Sequence, residues 1–412
     1  MTLSLLLWRI DLLKAKLFPH QEIAVAFALR KKYSILGLEQ GLGKTLCAIA
    51  SAIEVKPEKM LIVVPSFLKS NWLNEIEKFS EGLSFDIISY SQLDKIEDTY
   101  DFIVADECHY LKNARTKRSK NFEKILVKSK PEHLLMLSGT PIKNRVGEFW
   151  NLLRLINYGG NLTDKFFKFS RKNHHFKFQY YFSNAITQYF GHRQVTKFEG
   201  MKNIPELREI VNDCRLRMKA KDVMSLPETT DIEIKIDNKS KFDDKFKELM
   251  NEDLKHTNEA YMLVKKNNAI AKCNHTIKLA SEILENGEKV VIFTDHVRAA
   301  GEIARKLGVK AISGEVEPSE RAKYVQQFEQ SSGAVALVAT IPSLSVGVNL
   351  TSARYMIFND LPFVPSDLDQ AKKRIHRIGQ SKKCFYYYVY ISDMDKKLQY
   401  MIYNKRKVLE KL

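Results

Sequence analysis

Residues 35–45 read ILGLEQGLGKT, and residues 101–107 read DFIVADE. Each is an apolar run that ends on residues able to handle a phosphate chain and its metal. The first presents Gly41, Gly43, Lys44 and Thr45 at the tip of an expected strand. A glycine-rich turn lets backbone N–H groups approach phosphate oxygens, and the helix that follows adds its positive N-terminal dipole. Lys44 then reaches the β- and γ-phosphates, and the Thr45 hydroxyl takes Mg2+. The second run puts Asp106 beside the metal and Glu107 beside an attacking water. These are the parts of a phosphoryl-transfer site, where catalysis is mostly positioning and charge stabilisation. The strict G-x-x-x-x-G-K-[ST] spacing fails, because Leu38 stands at its first glycine position. What remains is G-x-G-K-T between a strand pattern and the helical stretch Leu46–Glu54.

Around these two runs the first 160 residues alternate strand and helix patterns. Strands are expected at 33–38, 60–65, 85–90, 101–106 and 133–138, with helices near 46–54, 68–79, 116–128 and 146–157. Alternation of this kind predicts an α/β fold with a parallel sheet and ligands at the carboxyl ends of its strands. Residues 161–225 break the pattern and are rich in Lys, Phe, Tyr and His, as in FFKFSRKNHHFKFQYYF at 166–182. They are expected to form a small helical insertion. Its aromatics either fill a core or, interleaved with basic residues, stack on nucleic acid. A second β/α series follows, with strands at 289–296, 309–314, 334–340, 354–360 and 385–391, and helices at 297–308 and 319–330. A lysine-rich helix is expected over 395–412. The domain expectation is therefore 1–160, 161–225 and 226–412.

A chain of 412 residues exceeds what one hydrophobic core usually serves, which also favours two domains. At 44% hydrophobic and 28% charged it is a globular composition. The formal charge of +17 points to a polyanionic partner, although a lysine-rich soluble surface contributes to it. The five cysteines, Cys47, Cys108, Cys214, Cys273 and Cys384, are scattered without a C-x-x-C pair. That spacing argues against structural zinc and disulfides and for a reducing compartment. LSLLLWRIDLLK near the N-terminus carries Arg9 and Asp11 inside its apolar run, so a packed helix is expected rather than a signal peptide. With no apolar run long enough to span a bilayer, no membrane partner is expected and the chain is placed in the cytoplasm.

The second half has its own charged cluster, DQAKKRIHRIGQ at 369–380. On a helix, Gln370, Arg374 and Arg377 fall at spacings of four and three and share one face. Taken alone this is a solvated basic face. Paired with a phosphate loop and an Asp-Glu, it suits arginines acting on a transferring phosphate.

With these motifs in order, the chain resembles the Swi/Snf-type ATPases of helicase superfamily 2. LFPHQ (17–21) resembles the family's adenine-reading motif, which implies Gln21 on the base. EQGLGKT resembles motif I, with Gly41, Leu42, Gly43, Lys44 and Thr45 around ATP. LIVVPSFLKSNWLNEIEKF (61–79) resembles motif Ia and implies DNA-backbone contacts at Ser66 and Lys69. IISYSQL (87–93) resembles motif Ib, and DECHYLKN (106–113) resembles motif II and adds Lys112 and Asn113 as DNA contacts. LSGTPIKN (137–144), VVIFTDH (290–296), VGVNLTSA (346–353) and QAKKRIHRIGQ (370–380) resemble motifs III to VI. ELREIVNDCRLRMKAKDVMSLPETT (206–230) resembles the crossing between lobes in the annealing-helicase branch. Leu344-Ser345 and Phe363 depart from the usual residues of the second lobe.

The resemblance implies two RecA-like parallel-sheet lobes in tandem. It implies ATP and Mg2+ as cofactors and double-stranded or branched DNA as partner. Lys44, Glu107, Gln370, Arg374 and Arg377 are the catalytic set, and Asp106 with Thr45 holds the metal. The expected activity is ATP-driven movement on duplex DNA. A strand-separating DNA helicase is the nearest alternative. An RNA helicase, a non-catalytic binding module and a kinase fit the motifs less well. The small size suggests a bacterial or phage source.

Overall fold

The computed structural model describes residues 13–139, 145–160, 162, 166, 168–171, 174–190, 193–223, 225–236, 257–344, 348–391 and 396. The helices expected from LSLLLWRIDLLK and over 395–412 lie outside these residues, apart from Leu13, Lys14 and Lys396. So do residues 140–144 of the motif III match and Ser345–Gly347 around motif V. The chain divides into two compact units, one running through Val223 and the other starting at Ser225.

In the first unit, β1 (Tyr33–Leu38), β2 (Met60–Val64), β4 (Phe102–Asp106) and β5 (His133–Leu137) are buried along their whole length. The remaining members of that sheet are β3 (Phe85–Ser89) and β8 (Arg215–Met218). Among the described residues the sheet has six strands in the order β3-β2-β4-β5-β1-β8, with every pairing parallel. The continuous apolar runs follow from this: a parallel strand covered on both faces has no polar side. Its connections run through α1 (Pro19–Lys31), α2 (Lys44–Val55), α3 (Lys69–Phe79), α4 (Lys117–Ser129) and α5 (Glu148–Ile156). A buried bidentate pair holds α5 to α4: Arg154 Nη1 and Nη2 donate to the Glu123 carboxylate at 2.6 and 3.0 Å. Asn151 Nδ2 donates to Leu111 O at 2.6 Å and pins the loop after β4.

The stretch expected to be a helical insertion is mixed instead. It contains α6 (His175–Phe182), an antiparallel hairpin of β6 (Asn184–Phe190) and β7 (Arg193–Glu199), and α7 (Ile204–Cys214). It also supplies β8, which extends the first sheet beside β1, and it belongs to the first compact unit. Its aromatics divide by helix face. Phe166, Phe169, Phe178 and Phe182 are at most 1% exposed and continue the core of the unit, whereas Phe176 and Tyr180 are half exposed to solvent.

The second unit repeats the architecture. Its strands are β9 (Thr229–Lys235), β10 (Val290–Thr294), β11 (Ala311–Ile312), β12 (Ala336–Thr340), β13 (Tyr355–Phe358) and β14 (Cys384–Tyr390). They pair in parallel in the order β11-β12-β10-β13-β14-β9. The helices are α8 (Thr257–Glu285), α9 (Val297–Lys306), α10 (Pro318–Gln330) and α11 (Pro365–Lys372). Here a second expectation is corrected. The helix predicted across 369–380 ends at Lys372, and Arg374 and Arg377 sit on the turns beyond it. Arg374 N bonds Ala371 O at 3.0 Å, a tightened last turn that stops the α-helical ladder. Ile375 is then drawn fully into the core. Gln380 Nε2 lies 2.9, 3.0 and 3.2 Å from the carbonyls of Ala353, Ile375 and Thr351, which holds the turn shut.

Candidate functional site

The site in the first unit is built at the carboxyl edge of its sheet. β1 ends at Leu38 and β4 ends at Asp106, with only β5 between them. Two strand spacings of about 4.8 Å each set their separation at roughly 10 Å, the span of a phosphate chain with its metal. Leu38 explains the missing glycine. It is still strand, its side chain is buried, and its carbonyl accepts from Lys44 Nζ at 3.0 Å. The turn begins only after it. Gly41 has φ +87° and Gly43 has φ +76°, left-handed values that glycine adopts without the Cβ penalty. Gly43 is also the residue before α2 and supplies no side-chain cap, and the first turn of α2 holds no acidic residue. The N–H groups of that turn are therefore suited to an anion. Lys44 and Thr45, half-buried, start the helix.

Gln21 is placed against this loop. Its Nε2 donates to Leu42 O at 3.3 Å, its Oε1 accepts from Phe18 N at 3.0 Å, and a Cβ on Gly43 would sit 2.3 Å from Nε2. His20 Nε2 lies 3.2 Å from the same Leu42 carbonyl. The start of α1 thus buttresses the turn, and Leu42 itself is fully buried.

Asp106 is buried and doubly held. Trp72 Nε1 donates to Oδ2 at 2.9 Å and Glu107 N donates to Oδ1 at 2.8 Å, while Tyr90 Oη donates to its backbone carbonyl at 2.7 Å. Burial first, and then the charge of Glu107, pushes the Asp106 carboxyl up to about 6; the Trp72 hydrogen bond and the charge of Lys44 oppose the rise. Lys44 and Asp106 are thus electrostatic neighbours, as a metal-phosphate site requires. A buried carboxylate at a strand end beside a phosphate-sized loop fits a divalent cation, which would supply the missing positive charge. Glu107 sits at φ +50°, a left-handed value that costs a non-glycine residue about 1–2 kcal/mol. Its Oε2 is 3.1 Å from His109 Nδ1.

The four expected DNA contacts follow neighbouring strands. Ser66 is exposed just after β2, and Lys69 opens α3 with its Nζ on Gln92 Oε1 at 3.0 Å. Lys112 pairs with Glu148 at 2.7 Å, and exposed Asn113 accepts from Arg115 N at 3.0 Å in the loop after β4.

In the second unit Gln370 and Arg374 are buried and Arg377 is half-buried. The helix break does not scatter the arginines. Arg374 Nη1 and Arg377 Nη1 both donate to Val348 O, at 3.2 and 3.4 Å, and Leu350 N bonds Arg374 O at 2.9 Å. The segments after β12 and after α11 therefore form one hydrogen-bonded piece.

Residues 83–286 match the model of the SNF2-related domain, and residues 271–379 match the helicase conserved C-terminal domain. The chain carries an SNF2-related domain followed by a helicase C-terminal domain. It is 27% identical to the DNA annealing helicase and endonuclease ZRANB3 of Bos taurus, over 92% of this chain and 39% of that one. It is 28% identical to the Caenorhabditis elegans homolog of SWI/SNF-related matrix-associated actin-dependent regulator of chromatin subfamily A-like protein 1, over 91% of this chain and 58% of that one. The chain thus spans about half the length of these relatives. The Sulfolobus solfataricus SWI2/SNF2 ATPase core in complex with dsDNA superposes with a TM-score of 0.42 at 20% identity, covering 96% of this chain and 92% of that one.

Within this chain, sequence reasoning missed Trp72, Tyr90 and His20. One signal was available for Trp72: a buried indole N–H needs an acceptor, and Trp72 sits one turn into the helix after β2, the strand paired with β4.

Proposed function

We propose that this chain is an ATP-dependent DNA translocase, which hydrolyses ATP with Mg2+ to move along double-stranded DNA and remodels or anneals branched DNA. The observation that carries the reading is the assembly of the Gly41–Thr45 turn, Lys44, Asp106 and Glu107 at one carboxyl sheet edge, in a chain whose second unit presents Arg374 and Arg377 from one fused piece. The loop and the first turn of α2 would hold the phosphates. Asp106 and Thr45 would hold Mg2+, which when bound supplies charge neutralisation on the phosphate oxygens. Glu107 accepts a proton from the attacking water, and Gln370, Arg374 and Arg377 stabilise the charge of the transferring phosphate. Gln21 fixes the loop and would read the base.

The annealing activity in the name of the cattle relative supports the branched-DNA part of the proposal. A formal charge of +17 is in keeping with a nucleic-acid partner. Ser66, Lys69, Lys112 and Asn113 are the proposed backbone contacts, and the five cysteines, all free and buried, suit the proposed cytoplasmic setting. Among the described residues no helix is long and apolar enough to cross a membrane.

The test is displacement of a triplex-forming strand from a long duplex, run beside a fork with a blocked annealing arm. Displacement that needs hydrolysable ATP, without separation of the duplex strands, supports the proposal. Efficient separation of the duplex identifies a strand-separating helicase instead.

A further inference from the structure

The exposed half of the 166–182 aromatics is a built surface rather than leftover core. Phe176 and Tyr180 are one turn apart on α6, 51% and 49% exposed, and they close over Phe198 of the hairpin from two sides. Ring centroids lie 6.4 Å apart for Phe176–Phe198 and 4.9 Å for Tyr180–Phe198, the latter edge-on at 87°. The platform is rigid. Phe178 and Phe182 seat α6 in the core, and Gln179 approaches so closely that a Cβ on Gly147 would meet its Nε2 at 2.5 Å. Farther along the hairpin, on the face that carries Phe198, Tyr189 is 73% exposed.

Cations lie beside these rings. The Arg115 guanidinium lies 5.9 Å from the Phe176 ring centre, and Lys177 is exposed next to Phe176 on α6. The nearest exposed acid of the hairpin is Glu199, at its base. The surface is also continuous with a proposed DNA contact: Arg115 N donates to Asn113 Oδ1 at 3.0 Å while its side chain turns to Phe176. Open aromatic faces beside cations are what unpaired bases recognise, since every base has a π-face and every linkage a phosphate. A duplex hides its base faces and offers such rings nothing.

We propose that Phe176, Tyr180 and Tyr189, with Arg115 and Lys177, bind unpaired nucleotides where a DNA strand leaves the duplex. The surface selects branched DNA over plain duplex. This inference rests on the translocase reading for its biological sense, but its test reads binding and not turnover.

The experiment compares the affinity of the full chain for a fork with two unpaired arms and for a blunt duplex of equal base-pair length, at one salt concentration. The variants are Phe176→Leu/Tyr180→Leu and, separately, Tyr189→Ala. Leucine keeps an apolar cover over Phe198 and removes the stacking face, and an unchanged melting temperature verifies the fold. Wild type is expected to bind the fork about tenfold or more tightly than the duplex, within the range for base stacking. The double variant loses most of that preference and keeps duplex affinity, and Tyr189→Ala loses part of it. A wild-type protein without fork preference, a double variant that retains it, or an equal loss on both DNAs overturns the proposal. Absence of DNA-stimulated ATP hydrolysis in the wild type contradicts the translocase reading instead and leaves this binding comparison to be judged by itself.

Discussion

Trp72 is the residue through which a proposed DNA-contacting element can act on the proposed metal site. It lies on α3, whose first residue is the candidate contact Lys69, and its indole donates to the Asp106 carboxylate. Removing a partner of a metal-ligating group typically costs about 10–100-fold in metal affinity or activity. Trp72→Phe keeps an aromatic ring, deletes the donor and leaves a cavity where the fully buried indole was larger, so the melting temperature falls. It is expected to raise the Mg2+ concentration needed for half-maximal ATP hydrolysis by about tenfold; an unaltered Mg2+ titration argues that the hydrogen bond is only structural. Asp106 also makes a pH prediction. Its folded-state value, about 6, stands above the ordinary aspartate value of 3.8. The unfolded chain therefore binds fewer protons between those values, and the metal-free protein loses stability as pH rises from about 4 to about 6, with the full loss present above. The size is on the order of 3 kcal/mol. Asp106→Asn lacks this loss, so in the absence of metal it should melt higher than wild type at pH 8 and not at pH 4. A variant less stable than wild type at pH 8 contradicts the buried-charge account.

At the scale of elements, the turn after α11 carries the sharpest prediction. Arg377 is half-buried and Arg374 is 2% exposed, although both donate to Val348 O. Each Ala substitution is expected to lower single-turnover hydrolysis by about 10³, the scale of arginine fingers. Arg374→Ala should also lower the melting temperature, since it removes a side chain that is 2% exposed together with its hydrogen bond to Val348 O. Arg377→Ala should leave melting unchanged. Normal hydrolysis by Arg377→Ala returns the cluster to an ordinary basic surface.

The same turn shows where sequence periodicity stops. Spacings of four and three describe a straight helix, and burial of Ile375 with the Gln380 hydrogen bonds breaks it, yet both arginines still converge. Central strands such as β1 and β4 were legible because a parallel strand buried on both faces is one apolar run. The edge strands β8 and β9 were not: TTDIEIK alternates exposed and half-buried residues. The long α8 was missed for a different reason. Its buried stripe includes Lys265, Asn268, Lys272 and Thr276, so the apolar period is erased. Those polar groups are satisfied by tertiary partners that a single sequence does not display, as with Thr276 Oγ1 on Asn359 Oδ1 at 2.7 Å. The loop, the Asp-Glu and the arginines were legible as chemistry; the supports from Trp72, Tyr90 and His20 were not.

For the whole molecule, a formal charge of +17 and candidate contacts of the backbone type predict binding governed by phosphates. Affinity for two unrelated duplexes of equal length should fall steeply and in parallel with salt, and each lost phosphate contact should lower the log–log slope by about 0.9. A flat response, or a preference of about 10³ for one sequence, points to base reading. The central claim is that nucleotide turnover at the edge of the first sheet is coupled to duplex DNA. ATP hydrolysis by wild type and Glu107→Gln, each with and without duplex DNA, tests it most directly. The account predicts DNA-stimulated turnover in the wild type and a loss of roughly 100-fold or more in Glu107→Gln with ATP binding retained. Wild-type hydrolysis indifferent to DNA, or near-normal hydrolysis by Glu107→Gln, contradicts it.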